Sequence, residues 1–138
     1  MKAIYLESSA ILTWLLGEKR AAEVRRAVDA AERVVTSALS VAEVERALVR
    51  AEGAGMLKGA DGQRLRGFLQ RARAGWVTMA VTDEVLGRAA RPFPVEPVRT
   101  LDAVHLATAM AFARAYPDLH VVSFDRRILD NAAALGLD

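Results

Sequence analysis

Four short apolar or β-branched runs, KAIYL (2–6), RVVTS (33–37), WVTMAV (76–81) and HVVSF (120–124), each give way to a stretch of helical character. That alternation constrains the chain more than any other feature. A strand that returns parallel to its neighbour needs a long crossover, usually a helix, so strands alternating with helices read as βαβ units. The expected class is α/β: a three-layer α/β/α sandwich with a central parallel sheet. Side-chain period agrees. In KRAAEVRRAVDAAE (19–32), Ala22, Val24, Ala27, Val28 and Ala31 gather near one helical face, and Arg20, Glu23, Arg25, Arg26 and Asp29 near the other. The stretch 101–116 is apolar nearly all round, as suits a helix packed centrally on a sheet.

A chain of 138 residues that is 53% hydrophobic and 26% charged fits one domain spanning 1–138. EGAGMLKGADG (52–62) and RPFPVEP (91–97) read as breaks between helices rather than linkers. The absence of cysteine excludes zinc ribbons, thiol nucleophiles and a disulfide framework. AVHLATAMAFA (103–113) falls well short of the roughly 20 apolar residues of a membrane span. No export signal is evident either, so a cytoplasmic protein with no membrane partner is expected.

A net charge of only +2 is a weak pointer to nucleic acid. Distribution says more. QRLRGFLQRARAG (63–75) carries Arg64, Arg66, Arg71 and Arg73 with no acid among them, and guanidinium forks suit phosphate oxygens. These side chains and Arg46 are candidates to guide RNA, against the plainer reading of a solvated helix face.

Ligands of open parallel sheets sit beyond the carboxyl ends of the strands, where helix N-termini also point. Four acids fall at such joints. Glu7 ends the first strand, Glu43 opens the helix after the second, Asp102 opens the apolar helix and Asp125 follows VVSF. Each has a structural alternative. SVAE (40–43) is a capping-box pattern, Thr100 is a possible cap before Asp102, and Asp125 or Glu7 could simply start a helix. Asp83 and Glu84 read as first-turn acids behind a Thr82 cap. His105, three residues after Asp102 on the same face, is expected to be a core or supporting histidine rather than a metal ligand.

Together the four acids point beyond capping. Carboxylates that converge in one crevice repel and raise one another's pKa unless a cation neutralises them. An all-oxygen set with no cysteine favours Mg²⁺ or Mn²⁺. One such ion, or a pair, lowers the pKa of bound water and offsets charge on a phosphate oxygen, which makes phosphodiester hydrolysis the leading chemistry.

YLESSAIL, TSALSVAEVERAL (36–48), RTLDAVHLATAM (99–110) and VVSFDRRILDNAAALGL (121–137), in that order and spacing, resemble the PIN-domain ribonucleases and among them the VapC-type toxins. The resemblance implies a Mg²⁺- or Mn²⁺-dependent endoribonuclease acting on RNA, a homodimer, and a VapB-like antitoxin that inserts into the active-site groove. It places the four family acids on Glu7, Glu43, Asp102 and Asp125, and the family's flanking hydroxyls on Ser9 and Ser123. One position departs. The first family acid is normally aspartate, and Glu7 is one methylene longer, in a site whose geometry matters to about half an ångström.

Three functions compete on these grounds. The first is a metal-dependent RNase. The second is an attenuated PIN scaffold that binds RNA or a partner protein without efficient cleavage. The third, a phosphoacceptor domain, lacks a lysine near a late strand end, since lysine occurs only at 2, 19 and 58.

Overall fold

The computed structural model describes residues 2–138. Four strands, β1 (Ala3–Leu6), β2 (Arg33–Ser37), β3 (Val77–Met79) and β4 (His120–Val122), form one sheet in the order β3-β2-β1-β4. Every pairing is parallel, with Tyr5 opposite Val35 on one side and Val121 on the other. Among the described residues seven helices flank it: α1 (Ser8–Leu15), α2 (Ala21–Ala30), α3 (Ala38–Gly53), α4 (Asp61–Arg73), α5 (Asp83–Ala89), α6 (Thr100–Ala113) and α7 (Arg126–Ala134). The result is the three-layer α/β/α sandwich.

The layers follow from the period of two in β1, whose residues are all fully buried. Ile4 and Leu6 face one way, into a core with Ala10, Ile11 and Leu15 of α1, Val24 of α2, Val44 of α3 and Leu69 of α4. Ala3 and Tyr5 face the other, against Ala103, Leu106, Ala109 and Phe112 of α6 and Ile128 and Ala132 of α7. A strand buried on both faces reads as a continuous apolar run, as AIYL does. Helix α6 is buried from Asp102 to Ala109, which explains why it lacks a polar face.

The strand order fixes where a site can form. After β1 the chain moves to β2, whereas β4 lies on the opposite side of β1 and is reached by the crossover through α5 and α6. The ends of β1 and β4 therefore open at a topological switch point, the usual location of a crevice in such sheets. Glu7 N donates to Val122 O at 3.1 Å, tying the two ends together.

Several boundaries differ from expectation. The third strand shrinks to Val77–Met79 at the sheet edge, and the fourth stops at Val122, so that Ser123 and Phe124 form the turn into α7. Helix α3 starts directly off β2 with Ser37 as its cap, its Oγ accepting from Leu39 N at 3.0 Å. The SVAE capping box is therefore unused. Ser40 lies inside the helix with a buried hydroxyl that lacks a hydrogen-bond partner. Helix α6 is preceded by Arg99 with no side-chain cap, so Thr100 is its first residue rather than its cap. Thr82 does cap α5, accepting from Val85 N at 3.1 Å. The break between α3 and α4 uses Gly55 and Gly59 at φ of 76° and 57°, a region where a Cβ is strained.

Candidate active site

A cleft of about 460 Å³ opens beyond the carboxyl ends of β1 and β4, lined by Glu7, Ser8, Ser9, Leu12, Glu43, Arg99, Thr100, Leu101, Asp102 and Asp125. All four acids singled out from the sequence line it. They arrive from four different elements, and each is held differently.

Glu7 is the cap of α1, and it is also the most heavily bonded side chain of the cleft. Its Oε2 accepts from the Ser8 hydroxyl at 2.6 Å and from Ser9 N at 3.1 Å. Its Oε1 accepts from the hydroxyls of Ser9 at 2.5 Å and Ser123 at 2.6 Å. A carboxylate offers about four lone-pair directions, so all of them are engaged. The network continues outward. Ser9 Oγ accepts from Phe124 N at 2.9 Å, and Ser123 Oγ accepts from Asp125 N at 3.0 Å. Only 4% of Glu7 is exposed, so these donors replace the water it gave up.

Asp125 caps α7 through Oδ1, which accepts from Arg127 N at 2.9 Å. Glu43 does not open its helix. It is the sixth residue of α3, half-buried, with Oε1 at 2.6 Å from His105 Nε2. Asp102 is the third residue of α6 and 7% exposed, and its Oδ2 is buried without any hydrogen-bond partner. The nearest cation is the Arg99 guanidinium, whose Nε stands 3.6 Å away. Burial pushes the Asp102 carboxyl above the usual aspartate range, the charge of Asp125 adds to that, and Arg99 opposes it.

His105 is buried inside α6 rather than set among apolar neighbours alone. Its Nδ1 lies 2.8 Å from the Tyr5 hydroxyl. Burial pushes the Tyr5 phenol far above its ordinary pKa, so it stays protonated.

The five arginines proposed to guide RNA lie elsewhere. Arg46 is exposed on α3, and none of the five lines the acidic cleft. Arg66 is bound to Glu52 at 2.7 Å and Glu45 at 3.4 Å, acids supplied by α3 that the local run 63–75 does not reveal. Arg73 is half-buried with an unpartnered Nε. Arg64 and Arg71 border a second cleft with Trp14 and Phe68. The cation that does border the acids is Arg99, which the sequence reasoning did not single out. Its position three residues before Asp102 at a helix start was the available signal.

The donor set fits a hard divalent ion. Four carboxylates converge, one buried carboxylate oxygen is orphaned, and oxygens of Glu7 and Glu43 lie within 4.8 Å of each other.

Comparison with known proteins identifies the family. The family model described as the PIN domain matches residues 4–135. The chain belongs to the PIN-domain family. Ribonuclease VapC46 of Mycobacterium tuberculosis is 38% identical over 138 residues, covering 99% of this chain and 95% of that protein. Ribonuclease VapC35 of the same species is 32% identical over 136 residues, covering 97% and 93%. These relatives place this PIN domain in the VapC type. The crystal structure of M. tuberculosis VapC20, described as a sarcin–ricin loop cleaving toxin, superposes with a TM-score of 0.66 at 17% identity, covering 98% of this chain and 96% of that one. At that identity the superposition speaks for the fold alone.

Proposed function

We propose that this VapC-type PIN domain is a Mg²⁺- or Mn²⁺-dependent endoribonuclease toxin held silent by a VapB-like antitoxin. The observation that carries the reading is the convergence of four acids on one cleft with Asp102 Oδ2 buried and unpartnered. Such an oxygen is costly in the apo protein and well suited to a cation.

Asp102, Glu43, Asp125 and Glu7 would hold the ion. When bound, it would lower the pKa of a water nucleophile and offset charge on a phosphate oxygen. The chain's own residues do the rest. Arg99, 70% exposed at the side chain and 3.6 Å from Asp102, is free to turn its guanidinium to a phosphate oxygen of the substrate. Leu12 and Leu101 give the cleft apolar walls beside its acids. The Ser9 and Ser123 hydroxyls fix Glu7 against rotation. In this reading the partners are RNA, the antitoxin and a second copy of the chain, and the compartment is the cytoplasm. Among the described residues no helix is long and apolar enough to cross a membrane.

A second reading rests on Glu7. With four donors on its two oxygens, it contributes to the ion only by giving up a hydrogen bond. A chain attenuated in this way binds RNA or a protein partner and cuts poorly.

One experiment separates the two: cleavage of a structured-RNA pool in Mn²⁺ by the wild type, Asp102→Asn and Glu7→Asp, with EDTA as control. The enzyme reading expects wild-type cleavage that EDTA abolishes and that Asp102→Asn lowers by about a hundredfold or more, beyond the usual cost of an outer partner. Cleavage by Glu7→Asp alone establishes the attenuated scaffold. Silence from all of them, with the fold intact, overturns both.

A further inference from the structure

Two polar side chains are packed where a sandwich of this kind has no need of them. Tyr5 is fully buried in the central strand, and His105 is 1% exposed in the most buried helix. They meet each other edge to face, with ring centroids 6.1 Å apart and planes at 68°. The contact is polar as well as aromatic, because the Tyr5 hydroxyl lies 2.8 Å from His105 Nδ1. On the far side of the imidazole, Nε2 lies 2.6 Å from Glu43 Oε1. A continuous chain thus runs from β1 through α6 to α3 and ends on an acid of the cleft.

For a neutral His105 the donor and acceptor roles follow from chemistry. An ionised carboxylate only accepts, so the proton between His105 and Glu43 belongs to Nε2. A neutral imidazole with Nε2–H has a lone pair on Nδ1, which needs a donor when buried. The Tyr5 O–H supplies it. Every polar atom of the imidazole is then used, and Nε2 has no lone pair left for a cation. Proximity alone suggests otherwise, since His105 Nε2 lies within 4.8 Å of oxygens of Glu7 and Glu43 in a grouping that could hold an ion.

We infer that Tyr5 and His105 are positioning residues for Glu43: Tyr5 locks His105 as the Nε2–H tautomer, and His105 clamps Glu43 Oε1 so that Oε2 is presented to the cleft. The need is specific to Glu43. Unlike Glu7, which is fixed by serines, it stands on a half-exposed helical position with a long, rotatable side chain, and His105 is its one hydrogen-bonding partner among the described residues. The clamp rests on the reading of Glu43 as an ion ligand, while the tautomer lock stands by itself.

The test begins with the wild-type chain, ¹⁵N-labelled, in EDTA and then in Mg²⁺. Long-range ¹H–¹⁵N correlation of the histidine rings reads the tautomer directly, and a His120→Gln spectrum assigns the second ring. His105 is expected as the Nε2–H tautomer in both conditions. An Nδ1–H pattern, or loss of the Nε2–H pattern when Mg²⁺ is added, overturns the inference and makes His105 a ligand.

The variants then address position. Tyr5→Phe removes only the hydroxyl and is expected to mix the tautomers. Tyr5→Phe and His105→Leu are both expected to weaken Mn²⁺ binding, measured by water-proton relaxation, by about tenfold, the usual cost of losing a partner that orients a ligand. His105→Gln offers an amide N–H to Glu43 and is expected to recover most of the affinity. A merely structural role for the pair predicts lower melting temperatures with unchanged Mn²⁺ affinity, and that result overturns the clamp. If the wild type itself fails to bind Mn²⁺, the metal reading and with it the clamp fall, and the tautomer lock is still decided by the EDTA spectrum.

Discussion

Glu7 and Asp102 line one cleft and are built in opposite ways. The Glu7 carboxylate takes four hydrogen bonds, from three serine hydroxyls and one backbone N–H. The Asp102 carboxylate has a buried oxygen with no hydrogen bond and a guanidinium only at 3.6 Å. Both are more than nine-tenths buried, so exposure does not separate them. The difference is in the neighbours. Glu7 is satisfied by the folded chain itself and joins the start of α1 to the turn after β4, whereas Asp102 is left in want of a cation. The metal site proposed above would draw fold stability from one acid and ion affinity from the other.

The largest effect on folding should come from removing the satisfied acid. Glu7→Ala strands the hydroxyls of Ser8, Ser9 and Ser123 together with Ser9 N, and deletes a helix cap. Charge-assisted bonds are worth about 1.5–3 kcal/mol each, and the serines re-pair in part with one another, so a net loss of about 3 kcal/mol is expected in EDTA. Denaturant unfolding measures it. A loss below about 1 kcal/mol would mean that the serines are indifferent to the acid and that the comparison fails on its stronger side.

Asp102→Asn should act in the other direction. Because the Asp102 carboxyl titrates above its ordinary range in the folded chain, the folded state holds a proton that the unfolded state has released. Stability contributed by that proton is lost as pH rises through the raised pKa, and above it the full penalty of burying the charge remains. Asparagine cannot ionise. In EDTA at neutral pH the variant is therefore expected to melt above the wild type, with the advantage vanishing below the ordinary aspartate range. Saturating Mn²⁺ should reverse the order, because only the wild type gains fully from binding. A variant that melts lower in EDTA at neutral pH would show that Asp102 is already satisfied without metal.

The same pair shows what could be read from the sequence. Glu7 and Asp125 were legible because each sits at a joint between an apolar run and a helix, and the switch-point rule gathers such joints on one edge, whereas Glu43 and Asp102 reach the cleft from inside their helices. Capping and cleft-lining looked like rival explanations for Glu7 and Asp125. They are not, since both residues accept from the backbone at a helix start while lining the cleft. The strand limits of β3 and β4 were less legible, because an edge strand and a strand running into a cap keep the composition of a strand after the pairing has ended. The partnership of Tyr5 with His105 joins residues 100 positions apart, and no local period reports it. A weaker signal existed: a tyrosine in a strand buried on both faces and a histidine in an all-apolar helix each need a polar partner, and together they can supply one. The surroundings of the arginine run were illegible for a related reason, since the acids that engage Arg66 come from a different helix.

Glu7→Asp gives the smallest expected change in stability and the finest test of the contrast. Aspartate at this position keeps the local cap, as Asp125 does with Arg127 N two residues ahead at 2.9 Å. What it gives up is reach. The Ser123 hydroxyl, on the far side of the switch point, is the donor that a carboxylate one methylene shorter holds least easily. The loss should be about 1 kcal/mol, one hydrogen bond rather than a network. The bond that is lost frees a lone pair on the acid, so Mn²⁺ affinity should rise as stability in EDTA falls. Calorimetric titration beside thermal melts would show the two quantities moving in opposite directions. If both fall, the serines position Glu7 for the ion rather than compete with it, and the methylene is part of a working site.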